Sequence, residues 1–331
     1  MANKKIRGFL LSFWLTRELS FFIYGKKVYK KTIDKKIVAF IKGRRKLSEK
    51  RIDHLIISLT SFPQRISEIK YTIYSLLDQT ILPEKIILWL AESQFPNKEH
   101  DLPEELLSLR KFGLLISWCE DIRSYKKLIP ALEWFPKHYI ATADDDLYYK
   151  KTWLEKLWLE HLKYPDDLIC HLGAKILFND KKVLPYTQWI RYIKGKLLGE
   201  RILVCSGGGA LYHKRYLHND ICKKELFLNL APYADDLWFY FMTILNDTKI
   251  RVVKKPCFKI KYVDPYREYG LNNEYTLSTN NLYANFNDKQ LQNIIEHYHI
   301  NLYSLTNKSI VDSSLKDVVP ELGTLSLSDV N

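Results

Sequence analysis

From His54 onward, short apolar runs alternate with stretches whose apolar residues recur at helical spacing, and this alternation leaves few folds open. Leu55-Ile56-Ile57-Ser58-Leu59, Ile86-Ile87-Leu88-Trp89-Leu90, Leu114-Leu115-Ile116-Ser117-Trp118 and Tyr139-Ile140-Ala141-Thr142-Ala143 read as buried strands. Thr60-Ser61-Phe62-Pro63 breaks the first of them, after which Ile69, Ile73, Leu76 and Leu77 mark one face of a helix. Tyr125 to Leu132 is expected to be mostly helical. Thr152 with Glu155 reads as a capping box, opening a helix whose apolar stripe is Leu154, Leu157, Trp158 and Leu162. Strand and helix in alternation is the sequence form of a βαβ series. The expected class is therefore α/β, with a Rossmann-like, mostly parallel central sheet flanked by helices. A chain of 331 residues can hold one large domain of this kind or two small ones, and 47% hydrophobic residues exclude wholesale disorder.

Three consecutive aspartates, Asp144-Asp145-Asp146, directly follow the fourth apolar run. In open parallel sheets ligands sit beyond the carboxyl ends of the strands, where Thr60, Glu120, Asp121 and this triplet all fall. Adjacent carboxylates become useful when a hard divalent cation, magnesium or manganese, bridges them to a diphosphate. A solvated acidic turn is the plainer alternative.

A second acidic pair, Asp235-Asp236, precedes Leu237, Phe241, Ile244 and Leu245 at helical spacing and so lies at a helix start. The helix dipole and free backbone N–H groups favour carboxylates there, which alone accounts for them. The functional alternative is that one of them is a general base. Between the two clusters, Cys205-Ser206-Gly207-Gly208-Gly209 removes side chains where a backbone must approach something closely. It lacks the Lys-Ser/Thr of a P-loop and carries no dinucleotide fingerprint.

The formal charge of +13 is carried entirely by residues 1–51, which hold 16 Lys/Arg against Glu18, Asp34 and Glu49; the rest has 35 of each sign. Phe9, Leu10, Leu11, Phe13, Trp14 and Leu15 are followed by Phe21, Phe22, Ile23 and Tyr24, with Arg17 and Glu18 interrupting. The run is shorter than the roughly 20 apolar residues that span a bilayer, and no small-residue cleavage site ends it. Aromatic anchors followed by many lysines fit a helix lying on an anionic membrane surface. A helix packing its apolar face on the body is the alternative. No nucleic-acid recognition motif accompanies the basic segment, so no specific nucleic-acid partner is expected. Cys119, Cys170, Cys205, Cys222 and Cys257 form no Cys-x-x-Cys pair and read as reduced thiols, which points to the cytoplasm and away from structural zinc.

Ile57-Ser58-Leu59-Thr60-Ser61-Phe62-Pro63-Gln64-Arg65-Ile66, Tyr125-Lys126-Lys127-Leu128-Ile129-Pro130-Ala131-Leu132 and Thr142-Ala143-Asp144-Asp145-Asp146 occur in one order. In this the chain resembles bacterial glycosyltransferases of the GT-A fold, similar to the family-2 type found in surface polysaccharide gene clusters such as those for capsule and lipopolysaccharide. The resemblance covers roughly residues 53–300. It implies a nucleotide-sugar donor, with a UDP-sugar favoured, a divalent cation (Mn²⁺ or Mg²⁺), and an Asp-x-Asp motif on Asp144 and Asp146. Asp146 is then expected on the metal and Asp144 on the ribose or metal, with Asp145 between them counted among the donor-binding residues. The resemblance also places the base on Asp236, with Asp235 orienting acceptor or base, and Gly207, Gly208 and Gly209 facing donor sugar and acceptor. Thr60, Ser61 and Arg65 are expected to contact the nucleoside, although Glu68 offers Arg65 a surface partner. Glu120 and Asp121 stand at the same strand ends. Lys126 or Lys127 adds a cation near the phosphates, at least one of them being read as an exposed helix lysine.

The expected organisation is a basic segment at 1–52, a catalytic domain at 53–302 and a tail at 303–331. The catalytic domain divides into a nucleotide-binding half at 53–150 and an acceptor half at 151–302. Tyr262 to Asn287 reads as a lid, and His297 and His299, two apart, as surface residues. The implied enzyme extends a saccharide or lipid-linked saccharide, inverting the anomeric centre, on the inner face of the cytoplasmic membrane. A nucleotidyltransferase with a similar metal-aspartate site, and a non-catalytic membrane-docking protein on a degenerate transferase core, are the alternatives.

Overall fold

The structure, a computed structural model, describes residues 30–44, 46–191, 193, 201–257, 261–264 and 285–305. Seven strands form the central sheet: β1 (Arg51–Thr60), β2 (Leu82–Ala91), β3 (Leu114–Cys119), β4 (Tyr139–Thr142), β5 (Leu168–Cys170), β6 (Ala210–Tyr212) and β7 (Ile250–Val252). Their order is β7-β5-β6-β4-β1-β2-β3, and all pairs are parallel except those of β6 with β4 and β5. The first four strands are those expected from their apolar runs, with β1 and β2 longer at their amino ends. The last three are only three residues each, too short to carry a period.

Because successive strand side chains point to opposite faces, the sheet sorts its residues into two cores. Leu55, Ile57 and Leu59 of β1 join Ile86, Leu88 and Leu90 of β2 on one face. Ile56, Ile87, Trp89 and Ile140 face the other core. The first core is covered by α1, residues 30–41, and α2 (Ile69–Leu77). The second is covered by α3 (Ile129–Trp134) and α5 (Asp235–Ile244). Between these in sequence lies α4 (Trp153–Lys163). α6 (Phe286–His297) packs on α5.

Tyr125 to Leu132 is mostly helical, as expected, but in two pieces: a 3₁₀ turn, Arg123–Lys127, ends at Leu128, whose φ of −129° interrupts the helical path before α3. Two other local expectations are corrected. The Thr152–Glu155 capping box does not form. Thr152 makes no side-chain cap bond, and the hydroxyl of Thr80 donates to Glu155 Oε2 at 3.0 Å. In α4, Leu154 and Leu157 are buried, but Leu162 is 59% exposed and Trp153 takes its place in the core.

In α1, Ile33, Ile37 and Phe40 recur at helical spacing and are buried, with Phe40 against the rings of Tyr74 and Phe112. Lys30 pairs with Glu68, while Lys31, Lys35 and Lys36 are exposed. For these residues the packed arrangement holds. The aromatic anchors expected at a membrane surface, residues 9–24, lie outside the described residues. Among the described residues no helix is long and apolar enough to cross a membrane. His297 and His299 are exposed, as expected. Of the lid expected at Tyr262 to Asn287, residues 265–284 lie outside the described residues, as does the tail from 306 onward.

Candidate active site

A cleft of about 510 Å³ opens at the carboxyl ends of β1, β3 and β4, lined by Thr60, Arg65, Asp121 and the aspartate triplet on one side and by Tyr233 to Leu237 on the other. The turn after β4 is tied down before it can serve any ligand. Asp145 is buried: Ser61 Oγ donates to its Oδ2 and Arg65 Nη1 to its Oδ1, both at 2.6 Å. Thr72 Oγ1 of α2 donates to the carbonyl of Asp145 at 2.8 Å, and the N–H of Val263 donates to the carbonyl of Asp146 at 2.7 Å. Asp145 is thus the anchor, and its two neighbours are presented on either side.

Arg65 also reaches Asp146 Oδ2 at 3.0 Å, while Glu68 is taken by Lys30. The surface pairing of Arg65 with Glu68 is therefore replaced by a role inside the cleft. Nor is Lys126 or Lys127 an exposed helix lysine. Lys126 is 3% exposed and pairs with Asp121; burial pushes that carboxyl up, but Lys126 and Arg123 together outweigh it and hold it below its usual range. Lys127 is 7% exposed, with its ammonium 2.7 Å from Asp144 Oδ1 and 3.1 Å from Asp235 Oδ2. Burial alone pushes the Lys127 ammonium towards neutrality, but Asp144, Asp235 and Asp236 outweigh it, so the group stays charged.

The two acidic clusters, 91 residues apart in sequence, therefore flank one cation. Asp235 and Asp236 occupy the first turn of α5 behind Ala234, and neither side chain caps the helix. Asp236 Oδ1 instead accepts from the backbone N–H of Ser206 at 3.1 Å and from its hydroxyl. Burial, and next the charge of Asp235, push the Asp236 carboxyl up to about 7.

The glycine turn is built around these acids. A Cβ on Gly207 would stand 1.7 Å from Asp144 Oδ2, so only glycine leaves the carboxylate its place. Tyr149 OH accepts from the N–H of Asp144 at 2.7 Å and donates to the carbonyl of Gly207 at 2.6 Å, locking turn to triplet. Gly208 packs on Leu172, and Gly209, with φ +112°, on the Trp153 indole. Gly208 and Gly209 thus meet the core rather than the cleft, whose lining includes none of the three glycines.

Thr60 lines the cleft, its hydroxyl donating to the carbonyl of Trp89 at 2.9 Å. Glu120 stays outside it, paired with Lys224 at 2.5 Å. Sequence reading missed Ser206, which holds Asp236, and the pair Arg123–Tyr233, whose guanidinium lies 4.3 Å from the ring centroid at the rim. Adjacency to the glycine run was the only sign for Ser206; Arg123 and Tyr233 meet only through folding.

No family model matches the chain, and no curated protein matches it. Among solved structures, S. aureus TarS residues 1–349, also solved in complex with UDP, is 15% identical at a TM-score of 0.41, covering 76% of this chain and 72% of that one. CMP:2-keto-3-deoxy-manno-octonic acid synthetase complexed with CTP is 10% identical at a TM-score of 0.36, over 62% of this chain and 89% of that one. The inositol-1-phosphate CTP transferase from T. maritima is 10% identical at 0.35, over 63% and 86%. These likenesses are partial, and the chemistry has to be read from the cleft.

Proposed function

We propose that the chain is a metal-dependent glycosyltransferase that moves a sugar from a nucleotide-sugar, a UDP-sugar in the first instance, to a saccharide acceptor. The observation that carries this reading is the meeting of two acidic clusters in one cleft, with Lys127 between them. Asp144 and Asp146 present hard carboxylate oxygens at the end of β4, a donor set that suits a divalent cation of the magnesium or manganese kind. When bound, such an ion supplies Lewis-acid stabilisation of the charge that grows on the departing diphosphate.

The chain's own residues do the rest. Ser61 and Arg65 hold the triplet in place, and Lys127 keeps a fixed positive charge between the donor and base sides. Asp236, with a carboxyl near 7, accepts the proton of the attacking acceptor hydroxyl, and Asp235 beside it orients acceptor or base. The Arg123–Tyr233 platform at the rim offers a flat face for the acceptor sugar. Attack from the side opposite the diphosphate inverts the anomeric centre. The basic first 51 residues fit an acceptor carried on a lipid at the inner face of the cytoplasmic membrane.

Calorimetric titration with UDP and with GDP, with and without Mn²⁺, tests the donor site, alongside Asp146→Ala. Metal-dependent binding that the variant loses is expected. Equal binding in the variant removes the aspartates from the donor site, and pyrophosphate release from a nucleoside triphosphate plus a sugar phosphate moves the reading to a nucleotidyltransferase.

A further inference from the structure

Away from the cleft, at the amino ends of the parallel strands, three neighbouring chain segments bring one ligating side chain each to one place. Leu55 of β1 pairs with Tyr139 of β4, so the residues before them, His54 and His138, stand side by side. Their rings are 5.2 Å apart, centroid to centroid. On the other side of β1 the register jumps: Ile52 faces Pro83 but Ile56 faces Lys85, leaving Glu84 alone opposite Asp53, His54 and Leu55. This bulge, with His54 at φ +57°, turns the His54 backbone N–H onto Glu84 Oε2 at 3.1 Å. His138 Nε2 lies 3.2 Å from the same oxygen, and Lys85 takes the other one, Oε1.

One ring nitrogen of each histidine and a carboxylate oxygen of Glu84 all lie within 4.8 Å of one another. Nδ1 of His138 is buried and has no hydrogen-bond partner among the described residues, so the contact with Glu84 satisfies only the other nitrogen of this ring. Two imidazoles and one carboxylate are the donors of a three-ligand zinc site with an open fourth position. In such a site the ligands lie about 2.0–2.2 Å from the ion. Imidazole-rich sets favour zinc, copper or nickel, whereas all-oxygen sets favour magnesium and manganese, so this place and the cleft differ in the ions they select.

We propose that His54, Glu84 and His138 form a second, non-catalytic metal site for a divalent ion of the zinc type. The ion joins β2, β1 and the start of β4 at the end of the sheet away from the cleft, and stabilises the fold by binding only the assembled strands. The test uses the full chain without a histidine tag, stripped of metal, titrated with ZnCl₂ by calorimetry and followed by thermal melting. One zinc per chain and a raised Tm are expected for the wild type and equally for Asp144→Asn/Asp146→Asn, which disables the aspartate cleft. Both effects should vanish in His54→Asn, chosen because His54 is exposed and asparagine tolerates its backbone angle, and in His138→Ala. Cobalt in place of zinc gives a second readout: its ligand-field absorption in the wild type should be absent from His54→Asn. Zinc uptake that both histidine variants retain, or its absence from the wild type, overturns the site.

Discussion

Asp236 shows what one residue's surroundings decide. Its carboxyl stands near 7 because it is sunk in the cleft wall beside Asp235, while Ser206 and Lys127 pull the other way. If it is the base, activity rises with pH through about 7 as the carboxylate forms. Asp236→Asn keeps an oxygen to accept from Ser206 but cannot take a proton, so kcat should fall by roughly 10²–10⁴-fold. The same shift makes a prediction about stability. A folded carboxyl raised above its unfolded value of 3.8 penalises the folded state progressively as pH climbs from about 4 to about 7, and by a constant amount above that. Asp236→Asn should therefore melt higher than the wild type at pH 8, with the difference gone below pH 4. Equal melting temperatures at both ends would show that Asp236 carries no such penalty, and unchanged turnover that it is not the base. At this scale sequence reading located the acids but misjudged their partners. Arg65 has Glu68 three residues away, yet it spends its charge on Asp145 and Asp146, some eighty residues on. Local spacing favours the near partner, and only the packing of α2 under the triplet selects the far one.

At the scale of elements, legibility followed length. Strands of six to ten residues, such as β1, β2 and β3, carry a continuous apolar run that nothing else explains. β5, β6 and β7 have three residues each and hold their places by pairing with neighbours, which no local pattern announces. The same limit applied to α1, whose lysines and apolar residues suit a membrane surface and a protein surface equally well. Its buried face settles the matter for residues 30–41: Phe40 is 2% exposed, 4.1 Å from Phe112 and 5.8 Å from Tyr74, ring to ring. Truncating a buried phenylalanine removes transfer energy and leaves a cavity, so Phe40→Ala should lower the unfolding free energy by about 3 kcal/mol in a urea titration. A change below about 0.5 kcal/mol, the range of a surface substitution, would mean that α1 does not dock in solution.

Across the whole molecule, charge and chemistry are separated. All of the net +13 belongs to residues 1–51, and the body that carries the cleft is neutral. That distribution is poorly suited to drawing a small anionic donor into the cleft, since no described residue of this segment lines it. It is well suited to holding the body against an anionic surface, because α1 fixes one end of the basic segment to the first core while Lys31, Lys35 and Lys36 point outward. Each lysine close to an anionic bilayer contributes about 1 kcal/mol, attenuated beyond a Debye length of about 10 Å at 0.1 M salt. Vesicles containing phosphatidylglycerol should therefore retain the full chain in a sedimentation assay at low salt and release it as salt is raised, while neutral phosphatidylcholine vesicles retain much less. Removing the charge of all three lysines, as in Lys31→Gln/Lys35→Gln/Lys36→Gln, should weaken retention by on the order of a hundredfold, with donor binding in the cleft unaffected. Retention that ignores both salt and these substitutions would assign membrane contact to the aromatic residues alone. No retention at all would leave the basic segment to a soluble acidic partner and detach the acceptor from the membrane.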